Sequence, residues 1–400
     1  MKRLLLAQPS LQPPGGGNGV AAWIIEAVKS DYEISVLAWS PVDLDSINRY
    51  YATSLRSSDF EILKPNLALR RLLNTLPMPL SLLKTSILLR TCKRIKNDYD
   101  VIISANNESD FGRAGIQYVH FPWAYQPRPR TELRWYHFPP ALKAYYDLCA
   151  WVAAFSFERM KQNLTLVNSN WTGSKFKERH GCEAVTLYPP VPGNFPEVPW
   201  EEREDGFVCI GRISPEKELE KLIGIVGKLR PHGKNVHLHI IGTTDNRSYY
   251  QKISRLARDN ASWITLNENI SRNELTRIVT QHRYGIHGMR EEHLGIAVAE
   301  MIRGGCIVFA PRGGGQMEVI GNDDRLLYNT ADEAALKIEQ VMENSHLQNA
   351  LRSHLAARRE LFSAERFCRE MRVFVRDFLA QQANPTSSFD RNGIPRADTV

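Results

Sequence analysis

Two α/β domains, each a doubly wound Rossmann-like parallel sheet, are the fold class this sequence predicts, and three observations carry the prediction. Short β-rich apolar runs alternate with longer stretches of helical periodicity, the pattern that crossover helices impose on parallel strands. At 400 residues the chain exceeds the roughly 250 to 300 residues at which a single core stops growing. The stretch YPPVPGNFPEVPWEERED, residues 188–205, then splits the alternation into halves, because its five prolines forbid a helix and discourage strand pairing.

In the first half the strand-like runs fall at 3–8 (RLLLAQ), 33–39 (EISVLAW), 100–104 (DVIIS), 116–120 (IQYVH), 164–168 (LTLVN) and 184–188 (AVTLY). In the second half they fall at 207–211 (FVCIG), 236–242 (VHLHIIG), 262–266 (SWITL), 284–288 (YGIHG) and 306–310 (CIVFA). Beyond them, FSAERFCREMRVFVRDFLAQQ begins at a capping residue, Ser363, and sets Phe367, Met371, Phe374 and Phe378 on one stripe, so it reads as a terminal packing helix. The last residues are polar with two prolines and read as mobile. The expected division is 1–197, 198–362, a helix over 363–382 that packs back toward the first domain, and a tail over 383–400.

Composition narrows the class. A hydrophobic fraction of 43% and a charged fraction of 24% are ordinary for a globular protein and exclude collagenous and disordered chains. The six cysteines are scattered, with no C-x-x-C pair and no pairing with histidine at zinc spacing, so they read as buried thiols in a reducing compartment. No window reaches the ~18 to 20 apolar residues of a membrane span, and the opening apolar run is too brief for a signal peptide. A cytoplasmic protein is expected, with any membrane contact peripheral and at the inner face. Net charge is +7, which favours an acidic ligand or surface. Residues 62–97 hold eight cations (Lys64, Arg70, Arg71, Lys84, Arg90, Lys93, Arg94, Lys96) and no acid. That composition suits a helix drawn to anionic lipid and equally suits a solvated basic face; no nucleic-acid motif accompanies it.

Several motifs sit where chemistry would be placed. PPGGGNGVAAW follows the first strand, and a turn with Gly16, Gly17 and Asn18 lets a ligand approach backbone N–H groups at a helix start. It misses the dinucleotide spacing, since Val20 stands where the third glycine belongs, and no ribose-binding acid ends the second strand. Asp43 and Asp45 form a D-x-D that reads as a solvated helix start, so no metal is assigned. His120 ends a strand at the edge where open sheets bind ligands, although a lone histidine is often structural. The aromatic and arginine residues after it (Trp123, Tyr125, Arg128, Arg130, Arg134, Trp135, Tyr136) suit sugar stacking or a packed lid. In the second half, GRISPEK sets Arg212 and Lys217 between a strand and a helix, where two cations converge on a diphosphate. FAPRGGGQMEVIG supplies three glycines, implying close backbone approach. HGMREEHLGIAVAEM puts Glu292 and Glu300 eight positions apart, and carboxylates are kept out of apolar runs unless paired or used. Three strand ends thus face one crevice with cations, glycines and acids.

These residues resemble glycosyltransferase family 4, retaining enzymes of the two-domain GT-B fold. Within it the similarity is to the α-1,2-mannosyltransferases that extend dolichol-pyrophosphate oligosaccharides from GDP-mannose, through YVHFP, RWYHFPPALKAYYDLCA, LVNSNWTGSKF, VTLYPPV and GIHGMREEHLGIAVAE. The resemblance runs from about residue 115 to 375. Those eukaryotic enzymes also carry a membrane-spanning N-terminal segment and longer insertions without counterpart here, which leaves the dolichol acceptor open.

The resemblance implies roles. Glu300 would hydrogen-bond the ribose hydroxyls, and Glu292 would lie against the transferred sugar. Backbone N–H groups of His293, Leu294, Gly295 and Ile296, together with Gly211, would meet the diphosphate and sugar. Arg212 and Lys217 would neutralise the leaving diphosphate, and His120 would touch the donor sugar from the first domain. The resemblance does not place the base, for which the loop 267–271 around Asn269 is the site expected here. The donor would be GDP-mannose or another nucleoside-diphosphate hexose, with no cofactor and no metal. A glycan or lipid-linked acceptor would sit in the first domain, near the Gly16–Asn18 turn. Two other readings stand beside this one: a sugar-nucleotide epimerase of the same fold, and a non-catalytic module that binds a sugar nucleotide or an anionic membrane.

Overall fold

The computed structural model describes residues 1–75, 80–123, 139–191, 193–230, 235–244 and 246–384. Of the aromatic and arginine residues noted after His120, Trp123 is described while Tyr125, Arg128, Arg130, Arg134, Trp135 and Tyr136 lie outside, as does the tail from 385. The first sheet has seven parallel strands: β1 (Lys2–Ala7), β2 (Tyr32–Leu37), β3 (Glu61–Leu63), β4 (Val101–Ser104), β5 (Ile116–Val119), β6 (Leu164–Val167) and β7 (Val185–Thr186), in the order β3-β2-β1-β4-β5-β6-β7. The second has six: β8 (Glu204–Ile210), β9 (His237–Gly242), β10 (Ile264–Glu268), β11 (His282–Ile286), β12 (Ile307–Pro311) and β13 (Leu327–Tyr328), in the order β10-β9-β8-β11-β12-β13. Both are doubly wound from the centre outwards, the architecture the alternating pattern predicts.

The differences from the sequence reading lie at edges. β3 and β13 are three and two residues long, too short to show a periodicity. Glu204 and Asp205, placed in the proline-rich connection, instead open β8; the last proline is Pro199, and a single 3₁₀ turn, Trp200–Glu202, leads into the strand. The glycines expected to form a turn after β1 are the first residues of the helix Gly16–Val28. Asp43 caps the helix Leu44–Tyr51 by accepting from the Ser46 N–H, which accounts for the D-x-D locally.

Each sheet has its own core. Leu4, Leu6, Val36, Ile103 and Tyr118 pack together in the first, and Phe207, Ile240, Tyr284, Val308 and Phe309 in the second. Phe362 belongs to the second core, yet Phe367, Met371, Phe374 and Phe378 belong to the first. The helix Ala364–Ala383, capped by Ser363, therefore returns to the opening helix, and Arg372 donates to the Ala27 carbonyl at 2.6 Å.

The basic stretch is divided by its contacts. Lys93 pairs with Asp110 at 2.7 Å, Lys96 donates to Gly112, Arg70 donates to the Trp39 carbonyl, and Lys84 lies over the Trp39 ring. Lys64, Arg71, Arg90 and Arg94 remain at the surface. Leu67, Leu72, Leu148 and Trp151 are exposed apolar side chains on the helices Leu67–Thr75 and Pro139–Ala153. Among the described residues no helix is long and apolar enough to cross a membrane.

Because the returning helix completes the first core, Met371→Ala, at a fully buried position, should cost about 2–5 kcal/mol. Urea unfolding measures this, and an unchanged midpoint would mean that the helix is not part of that core.

Candidate functional site

The site is assembled at the C-terminal ends of the second sheet's strands. After β8 the chain passes Gly211 and Arg212 and makes a tight turn over Pro215–Lys217. That turn lies directly on Gly288, where a Cβ would fall 2.3 Å from the Lys217 carbonyl oxygen, so only glycine admits the approach. The Lys217 ammonium reaches across to hydrogen-bond Glu292, and His287 Nε2 lies 3.3 Å from the same carboxylate. Burial raises the Glu292 pKa, but the His287 hydrogen bond and the Lys217 charge outweigh it and hold the carboxyl well below the usual range. Glu292 is thus a fixed anion. Arg212 lines the same small cavity as Gly211, Lys217 and His287, yet its side chain is 58% exposed and pairs with Glu216 at 3.1 Å. The two cations share a pocket wall and have separate partners.

The turn from Met289 to Gly295 has no regular structure, and Gln316 shapes it. The Nε2 of this fully buried amide, with two protons to give, lies 2.7–3.2 Å from the carbonyls of Arg290, Met289 and Pro311, and its Oε1 accepts from the Glu292 N–H at 3.2 Å. The glycines 313–315 serve the same joint. A Cβ on Gly314 would lie 2.6 Å from the Glu292 carbonyl oxygen, and one on Gly315 2.4 Å from that of His293. The close backbone approach expected at this loop is real, and it is an approach to the chain itself. The turn ends at Gly295, whose φ of 95° launches the helix Ile296–Arg303. Among the described residues the N–H groups of His293, Leu294 and Gly295 donate to no acceptor. They offer an anion site at a helix start.

Glu300 lies one turn inside that helix, 7% exposed, and Arg272 donates to its Oε1 at 2.5 Å. Oε2 remains able to accept a hydroxyl. Arg272, Glu300 and Ile296 form one wall of a cleft of about 160 Å³; Gly15, Gly16, Trp23, Tyr50 and Pro189 form others. The glycine-rich helix start of the first domain therefore faces the carboxylate of the second. Asn269 is not among the lining residues. It holds a left-handed turn, φ 54°, after β10 and just before the helix Arg272–Gln281 that delivers Arg272.

Both halves also clasp directly. Ser169 and Thr172, at the start of the helix Asn170–His180, donate their hydroxyls to the His293 carbonyl at 2.5 and 3.2 Å. Glu318 accepts from the N–H groups of Asn170 and Trp171 and from the Tyr188 hydroxyl, at 2.6–3.0 Å. A carboxylate there satisfies donors the helix leaves open and favours its positive end. The His293 ring stacks on Phe121 at 4.2 Å. Its side chain and carbonyl are thus engaged between domains, which leaves its N–H for a ligand. His120 lies at this junction. Its Nε2 sits 3.0 Å from the Ala105 carbonyl, and a Cβ on Gly17 would meet the same nitrogen at 3.0 Å. Asn18 is turned into its own domain, donating to the Gln12 carbonyl and accepting from Gln8.

With this geometry in view, residues 192–357 match the family described as glycosyl transferases group 1. They are a group 1 glycosyltransferase domain. Curated relatives named GDP-Man:Man(3)GlcNAc(2)-PP-Dol alpha-1,2-mannosyltransferase align more widely. The one from Dictyostelium discoideum is 24% identical over 255 residues, 57% of this chain and 50% of its own length. The one from Mus musculus is 29% identical over 191 residues, 43% of this chain and 38% of its own. The chain thus spans half or less of these relatives. Among solved structures, HepE of Anabaena in complex with UDP-glucose superposes with a TM-score of 0.65 at 14% identity, covering 94% of this chain and all of that one. Sucrose-phosphate synthase from Thermosynechococcus elongatus gives 0.67 at 14%, covering 95% and 100%. These two show the fold, which is GT-B.

Around the group 1 domain, sequence reasoning passes over several residues that the geometry makes central. Gln316 stands in the quoted FAPRGGGQMEVIG, beside the acid Glu318 that the sequence does bring to the crevice, and His287 in YGIHG, but an uncharged amide and a histidine inside a strand end give no signal of their own. Arg272 and Tyr188 come from remote stretches, and only the fold brings them in.

Burial lowers the His120 pKa to about 4, against the opposing hydrogen bond to Ala105. The same group in the unfolded chain titrates near ~6.5. The depressed value means that its stabilising share is whole above about 6.5 and is lost as pH falls toward about 4. His120→Gln should therefore shrink the stability lost between pH 7 and 4.5 by up to about 3 kcal/mol. Denaturant titrations at the two pH values decide it, and equal losses in both proteins would reject the assignment.

Proposed function

We propose that this chain is a retaining, metal-independent hexosyltransferase. It moves a sugar, mannose by preference, from a nucleoside diphosphate to a hydroxyl of a glycan or lipid-linked acceptor. The observation that carries the proposal is the cleft in which the Arg272–Glu300 pair faces the glycine-rich helix start across the domain boundary. The family match supports the donor class, and the relatives' names support GDP-mannose and a pyrophosphate-lipid acceptor.

The residues divide the work. The free oxygen of Glu300 accepts from ribose hydroxyls, since a carboxylate only accepts and hydroxyls readily donate. Asn269 and its loop flank the base. N–H groups of the His293–Ile296 turn, with Gly211, Arg212 and Lys217, meet the diphosphate, where charge develops as it departs. Glu292, fixed as an anion, lies against the sugar and its oxocarbenium-like centre. The bond from the anomeric carbon to the phosphate oxygen breaks, a new bond forms to the acceptor oxygen on the same face, and the acceptor proton passes to the departing phosphate. His120 closes the donor sugar from the first domain, and Gly16–Asn18 brings backbone to the acceptor side. Domain closure limits hydrolysis by excluding water.

Lys217→Ala should lower the rate constant about 10²- to 10³-fold while the acceptor KM stays put, measured with GDP-mannose in assays without and with added divalent metal. An unchanged rate constant would remove Lys217 from the mechanism, and dependence on added metal would end the metal-independent reading. A rearranged nucleotide sugar formed without acceptor would replace transfer by epimerisation.

The surface cations Lys64, Arg71, Arg90 and Arg94, beside exposed Leu67, Leu72 and Trp151, support a peripheral seat on anionic membrane at the cytoplasmic face. Binding to vesicles with acidic headgroups should weaken with salt as screening sets in. Equal binding to neutral vesicles, or none, would leave these cations as a solvated face.

A further inference from the structure

The second domain holds a histidine cluster that the transfer reaction does not use. His237 and His239 are alternate residues of β9 and so share a face of the sheet; His282 opens β11. β8 runs between those two strands and would ordinarily separate them. It carries Gly206 at the crossing, paired in register with His237. A Cβ there would fall 2.3 Å from His237 Nε2 and 2.7 Å from His282 Cδ2. The missing side chain is what lets the imidazoles meet across the middle strand. One ring nitrogen from each of the three lies within 4.8 Å of the others, and His237 Nε2 and His282 Nε2 are 2.7 Å apart.

The outer nitrogens fix the rings. His282 Nδ1 lies 2.6 Å from the Ile278 carbonyl, which only accepts, so Nδ1 carries the proton and Nε2 presents a lone pair. His239 Nδ1 lies 3.0 Å from Asn267 Oδ1, which orients its Nε2 in the same way. Metal-bound histidines are oriented by this kind of contact. Burial also lowers the pKa of His237, and that of His282 to about 4. A further acid is at hand: Glu204 Oε2 is 3.3 Å from His237 Nε2 and 57% exposed, free to turn inward from solvent.

We propose that His237, His239 and His282, with Glu204 as fourth ligand, form a binding site for a divalent transition ion of the zinc class, which staples β9 to β11 across β8. Three imidazoles and a carboxylate are a donor set for such an ion rather than for calcium or magnesium. Tetrahedral zinc at about 2.0–2.1 Å from each nitrogen separates ligand atoms by about 3.3 Å. The His237–His282 pair therefore opens by about half an ångström, and His237 moves its Nε2 proton to Nδ1. The site sits at the N-terminal ends of the strands. Gly206 to Gly211 along β8 spans about 16 Å, so the ion is structural and stands apart from the donor cleft. The histidines are 43 positions apart at their widest chain gap, from 239 to 282, which is why no short metal motif reveals them.

The test uses the full chain without an added histidine tag, stripped by chelator and titrated with cobalt(II) and then zinc(II). One equivalent of cobalt should give the intense visible bands of a four-coordinate ion, zinc should displace it, and either should raise the melting temperature. His237→Gln and His239→Gln, both at partly exposed positions, should weaken binding at least about tenfold and abolish the thermal shift. His346→Gln, an exposed histidine elsewhere, should change neither. The proposal is overturned by absence of both bands and thermal shift at a twofold excess of metal. It is equally overturned if binding persists unchanged in His237→Gln and His239→Gln, or falls as far in His346→Gln.

Discussion

The chemistry of the second domain depends on one buried amide. The turn that carries Glu292 and the unpaired N–H groups of His293, Leu294 and Gly295 has neither helix nor strand to hold it. Gln316 provides that support by sharing its two N–H protons among three nearby carbonyls and receiving the Glu292 N–H. A side chain with both donor and acceptor ends can do this, and a charged or apolar replacement of similar length cannot. Glycines 313–315 follow from the same constraint, since the loop bearing Gln316 must lie within backbone distance of the turn. The anion-facing geometry is thus set by contacts between two loops.

The two carboxylates that stood out in the sequence have different electrostatic settings. Glu292 shares its charge with Lys217 and a buried His287, and it is held ionised by them despite its burial. Glu300 pairs with Arg272 through Oε1 and lines the cleft. Glu292, its pKa held down by its neighbours, is not poised to take a proton. A site built this way suits a reaction in which the protein fixes charges in advance and the substrate carries its own proton acceptor. Glu318, a third acid from the same region, is spent on the first turn of a helix in the other domain.

Much of the fold could be read from the sequence because parallel strands buried on both faces appear as unbroken apolar runs. All six expected strands of the first half and all five of the second are present. What escaped were β3 and β13, which are stabilised by pairing at an edge and carry no pattern of their own. In the site, charged residues close to glycines announced themselves: Lys217, Glu292 and Glu300. Their partners His287, Arg272 and Gln316 did not, because a partner is defined by a distance and the sequence holds only order. Arg212 shows the converse, being conspicuous in the motif yet half out of the protein and turned to Glu216.

The chain passes between the two cores twice, once through the proline-rich connection after Tyr188 and once between Phe362 and Phe367. A single covalent tether would let one lobe swivel about any direction like a ball in a socket. Two tethers side by side remove most of those rotations and leave a rocking axis that runs through both. Any relative movement of the lobes would be confined to that axis, and Ser169, Thr172 and Glu318 would be kept in line with their mates.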